Sequence, residues 1–127
     1  MYALVALFDQ NTERIIKDIW KSLEDKGISD YAKEVEDRVP HITIASYKEL
    51  SVDYFTKHIG KYYENRKSIP ISFQSIGSFR NTKTLYYAPI VTAELLMFHQ
   101  EYHGTLRNIM TVLILYICQV NGFHTVL

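Results

Sequence analysis

The chain has 127 residues, 14 basic side chains balanced by 14 acidic ones, five His and one Cys. That length suits one domain, and 47% hydrophobic with 13% aromatic content excludes intrinsic disorder over most of it. The charge balance excludes nucleic-acid binding carried by bulk electrostatics, because there is no basic excess to release counterions; a local phosphate site stays open.

In chain order, residues 2–8 are an almost wholly apolar run of strand length closed by Asp9, and read as a buried strand. The start has no positive n-region or cleavage signature, so a soluble, cytoplasmic domain without a secretory leader is expected. Ile15, Ile16, Ile19, Trp20 and Leu23 then recur at helical spacing, with Asn11 as the expected cap and Gly27 as the stop. Residues 28–39 are charged and mixed, with room for an irregular strand, and Pro40 disfavours helix at Val39.

His-Ile-Thr-Ile-Ala-Ser, residues 41–46, alternates as a strand does. Ile42 and Ile44 are expected on one face, His41, Thr43 and Ala45 on the other. Ser51 is placed to cap a second helix with the apolar stripe Val52, Phe55, Ile59 and Tyr62. Residues 69–79 and 84–89 read as two strands of a hairpin around the turn from Arg80 to Lys83. A third helix is expected from about Thr92, with Leu95, Phe98 and Tyr102 inward. The order β-α-β-α-β-β-α implies an α+β fold, a mainly antiparallel sheet with helices packed on it.

The sequence shows neither a repeat of solenoid period nor a low-complexity linker. It changes character after Arg107, from which no charged side chain occurs up to Leu127. The run TVLILYIC in this segment is too short to span a bilayer. A lone cysteine there, Cys118, forms no internal disulfide and sits in no metal-ligand spacing. The chain therefore divides into a domain over residues 1–106 and an atypical apolar tail over 107–127, read either as a buried terminal strand or as an out-of-place segment.

One motif carries chemistry. His41 and Thr43, two apart on a strand, aim an imidazole and a hydroxyl to the same side. A phosphate suits that pair, since the hydroxyl donates to a non-bridging oxygen while the imidazole moves a proton near neutral pH. A structural role for such a pair is the simpler alternative.

The apolar first strand, the amphipathic helix and R-V-P-H-I-T-I-A-S-Y, followed by the hairpin SIGSFRNTKTLYYAP, resemble the 2H phosphoesterase superfamily. Within it the chain is similar to bacterial 2'-5' RNA ligase family, or LigT-like, proteins. The resemblance covers residues 1 to about 106. It implies a bilobed α+β fold in which each lobe brings one H-x-T-x motif to a central cleft, acting without metal or cofactor on RNA ends or nucleotides with 2',3'-cyclic phosphates or 2'-5' linkages. His41 would then be one of two proton-transfer histidines and Thr43 its phosphate-binding partner. Two imidazoles are needed because one activates the attacking oxygen while the other protonates the leaving one.

A second motif is not evident. His103-Gly-Thr105-Leu106 matches in letters but falls at the end of the third helix, where residues two apart do not share a face. His124-Thr125-Val126-Leu127 lacks the spacer residue. With each codon read one base out of step and wobble bases left free, the tail from Met110 to Leu127 permits D-C-P-N-S-L-Y-L-P-G-K-W-I-P-H-C-T, which ends like the family's W-x-P-H-C-T. A frameshift between about Thr105 and Met110 is therefore expected to have replaced the second motif, leaving a protein of weak or no turnover.

Arg80 and Lys83 in the hairpin turn, with His124, are the candidate further phosphate contacts. Tyr86 and Tyr87 are candidates for stacking a base or for sheet packing. Ser46 and Tyr47 close the motif strand and are expected to line the cleft. His99 and His103 have a metal-compatible i, i+4 spacing, but the acid is at Glu101, so H-E-x-x-H fails and solvated helix is the simpler reading. His58, among Lys57, Lys61 and Tyr62, reads as exposed helix. No metal, cofactor or membrane partner is expected. Two other readings stand beside the enzyme: a non-catalytic nucleotide- or phosphate-binding module, and a truncated fragment that self-associates through its apolar tail.

Overall fold

The computed structural model describes residues 2–34, 36–80 and 84–106 and the backbone of Gln119–Asn121. The fold is α+β, with helices packed on two small antiparallel sheets. The first strand, β1 (Tyr2–Leu7), leads into α1 (Gln10–Asp25). Asp9, not Asn11, caps this helix: its carboxylate accepts the backbone N–H groups of Asn11 and Thr12, both at 3.0 Å. Asn11 instead accepts from Arg14 at 2.8 Å, one turn into the helix.

Gly27, at φ +65°, ends α1 as the spacing predicts. Its N–H donates to Glu24 at 2.8 Å and that of Ile28 to Leu23 at 2.9 Å, the paired bonds of a Schellman stop. Residues 28–39 contain no strand among those described. A 3-10 turn, Tyr31–Lys33, lies there instead, because Tyr31 is drawn into the core against Trp20 at 5.4 Å between ring centroids. The Arg38 guanidinium lies over the Tyr31 ring, 3.7 Å from its centroid.

The motif strand, β2 (His41–Tyr47), pairs antiparallel with β1. It is followed by α2 (Val52–Tyr63), the hairpin of β3 (Phe73–Phe79) and β4 (Thr84–Pro89), then α3 (Ala93–Leu106) and a short β5 (Gln119–Asn121) paired with β4. The strand expected from residue 69 starts later, at Phe73. Ser51 stands at the start of α2 but its side chain makes no cap hydrogen bond, whereas Thr92, before α3, accepts the Leu95 N–H on Oγ1 at 3.1 Å.

Two apolar clusters hold this together, each drawing on distant parts of the chain. In one, Ile16, Trp20 and Tyr31 pack with Phe8, Phe73 and Tyr87, which places α1 on the β3–β4 hairpin. In the other, Ile44, Ala45, Tyr47 and Tyr102 pack with Leu4, Phe55, Ile59, Tyr63 and Phe98, which places α2 and α3 on the β1–β2 pair. The inward stripe of α2 thus ends at Tyr63 rather than Tyr62, and Val52 is exposed rather than part of it. Tyr62 lies outside, beneath the guanidinium of Arg66, which pairs with Glu101 and so ties α2 to α3.

Candidate functional site

Strand β2 does not alternate evenly. Thr43 faces Val5 and Ala45 faces Leu4, so Ile44 is an extra residue, a β-bulge. Directly opposed residues share a face, so the register places His41 with Leu7, Thr43 with Val5 and Ser46 with Ala3 on one side of the sheet. Ile42, Ala45 and Tyr47 fall on the other side, with Ala6, Leu4 and Tyr2. The shift corrects two sequence expectations. Ala45 does not accompany His41, and Tyr47 turns away from it to share a hydrogen bond with the Tyr102 hydroxyl beneath the sheet.

The bulge therefore leaves one row of polar residues, His41, Thr43 and Ser46. The row is unevenly accessible: Leu7, opposite His41, is 65% exposed, whereas Thr43 is 8% exposed. Thr43 is the buried middle of the row, with His41 and Ser46 half-buried on either side of it. Pro40 is buried just before the strand, and a residue that precedes proline is disfavoured from helix. His41 Nδ1 lies 2.7 Å from the Val39 carbonyl oxygen. A carbonyl only accepts, so Nδ1 is the donor and Nε2 of the neutral ring carries the lone pair. That nitrogen is the one able to take up and return a proton.

The other described histidines lie elsewhere. His58 is on α2, with Nδ1 2.7 Å from the Tyr54 carbonyl oxygen. His99 and His103 are on α3, their ring centroids 4.2 Å apart, and burial holds His99 below the usual imidazole range. Both helices pack on the Ala45 and Tyr47 face, across the sheet from His41. His103 and Thr105 fall within α3, as their spacing predicts. No cluster of three or more metal-ligating side chains occurs among the described residues.

Arg80 is exposed in the hairpin turn. Phe73, at the start of β3, touches Phe8 beside the His41 end of β1, with 5.8 Å between ring centroids. Arg80 is at the opposite end of that strand, roughly 20 Å along it. Lys83, His124 and Cys118 lie outside the described residues, as does most of the 107–127 tail.

Tyr86 and Tyr87 take opposite faces of β4. Tyr87 packs toward α1 through Phe73, while Tyr86 stacks on Phe79 at 4.5 Å. Among the described residues no helix is long and apolar enough to cross a membrane. Compared with protein-family models, curated proteins and solved structures, the chain matches none.

Proposed function

We propose that the protein is a 2H phosphoesterase-like half-site: it holds the phosphoryl group of an RNA end or nucleotide between His41 and Thr43, and turns it over weakly or not at all. The observation that carries this reading is the hydrogen bond from His41 Nδ1 to Val39, with Thr43 on the same strand face. It leaves Nε2 available for proton transfer beside a hydroxyl able to donate to a phosphoryl oxygen. The three other described histidines stand on helices across the sheet, which favours one proton-transfer group over two. Loss of a general acid or base lowers rate by about 10²- to 10⁴-fold.

The test is incubation with adenosine 2',3'-cyclic monophosphate, following binding and product together. The reading predicts saturable binding, abolished by Thr43→Ala, with slow or undetectable opening of the cyclic phosphate. Binding that ignores Thr43→Ala overturns it. Fast, His41-dependent hydrolysis overturns the half-site part, because a second group would then be supplying the other proton transfer.

A further inference from the structure

The hydroxyl of Ser46 is buried and has no hydrogen-bond partner among the described residues. An unmet polar group of that kind costs stability and calls for a physical reason. In a regular strand Ser46 would lie on the Ile42 side, away from His41; the extra residue at Ile44 is what turns it to the His41 side. It stands opposite Ala3, and Thr43 stands opposite Val5. The two hydroxyl-bearing positions are therefore two steps of β1 apart, with only Leu4 between, about 7 Å along the strand. Consecutive phosphorus atoms of an RNA strand are separated by a comparable distance.

We infer that Ser46 is a second phosphate-binding residue, so that the row His41, Thr43 and Ser46 takes an RNA end of at least two nucleotides in preference to a mononucleotide. The inference rests on the phosphoryl reading of His41 and Thr43. Ser46 as a residue is only partly buried, and rotation about χ1 between staggered wells is inexpensive. Such a turn carries the hydroxyl away from its unpaired position, and an incoming phosphate oxygen then accepts its proton. The terminal phosphoryl group lies at His41 and Thr43, and the next one along the strand lies at Ser46. This hydroxyl needs no charge, consistent with a chain whose net charge is zero.

The experiment compares two probes by calorimetric titration: adenosine 2',3'-cyclic monophosphate, and a diadenosine dinucleotide ending in the same cyclic phosphate. The wild-type chain binds the dinucleotide more tightly. Ser46→Ala weakens the dinucleotide about five-fold, the usual size of one neutral hydrogen bond, and leaves the mononucleotide unchanged; Ser46→Thr, which restores a hydroxyl, recovers the difference. If Ser46→Ala binds both probes as the wild type does and only raises the melting temperature, the hydroxyl is a packing defect and the inference is overturned, with the His41 and Thr43 reading intact. If the wild-type chain binds neither probe, both fail together.

Discussion

Tyr47 on the motif strand and Tyr102 on α3 share a hydrogen bond between their hydroxyls, with both side chains buried. Fifty-five positions apart in sequence, they fasten the last described helix to the underside of the strand whose other face presents His41. Tyr102 is fully buried and Tyr47 nearly so, so neither hydroxyl can turn to water if the other is lost.

That coupling has a measurable consequence. Tyr102→Phe strands the Tyr47 hydroxyl and costs about 1–3 kcal/mol, and Tyr47→Phe does the same in reverse. The double variant costs less than the sum, because no orphan remains, with a coupling of about 1 kcal/mol. Urea denaturation of the four proteins checks this, and strictly additive losses would refute it.

The same region sets the alkaline limit of stability. Burial pushes the phenol of Tyr47 up from 10.0 to about 12, and that of Tyr63 to about 12 as well. Between the two values the unfolded chain has released these protons and the folded chain has not. The unfolded state then holds fewer protons, so stability falls as pH rises from about 10 to about 12 and is flat with respect to these groups below that window. Tyr63→Phe should flatten the decline, as read from urea midpoints across that range.

On the second sheet, Gly77 and Tyr86 are directly opposed, and a β-carbon on Gly77 would overlap the Tyr86 ring. The ring lies across the bare backbone and stacks on Phe79. Gly77→Ala therefore expels the ring and costs about 1 kcal/mol, the size of an aromatic pair. In a Tyr86→Ser background the same change becomes neutral or stabilising, since alanine is otherwise better than glycine inside a strand. A thermal-melt comparison of the two backgrounds decides it; equal losses in both would contradict the packing argument.

Much of the fold was legible because apolar spacing is a strong signal where one face is buried. Ile16 and Trp20 mark α1, and Phe98 and Tyr102 mark α3, and both pairs point inward as their spacing requires. The helix start was less legible: Asp9 and Asn11 are both good caps, and only the three-dimensional path shows that the carboxylate of Asp9 receives the free N–H groups. For α2, neighbouring tyrosines gave no means of choosing Tyr63 over Tyr62 as the inward one. The site was legible in part. His41 and Thr43 share a face as their spacing implies, but a bulge leaves no mark in a run such as Ile-Thr-Ile-Ala-Ser, so the proper faces of Ala45, Ser46 and Tyr47 became readable only from the register with β1.

The most direct test of the central claim is a long-range proton–nitrogen NMR spectrum of the histidine rings, recorded with and without adenosine 2',3'-cyclic monophosphate. The account predicts that His41 carries its proton on Nδ1, that its Nε2 resonance moves on saturation, and that Thr43→Ala abolishes the movement. A proton found on Nε2, with no response of that ring to the nucleotide, would contradict it.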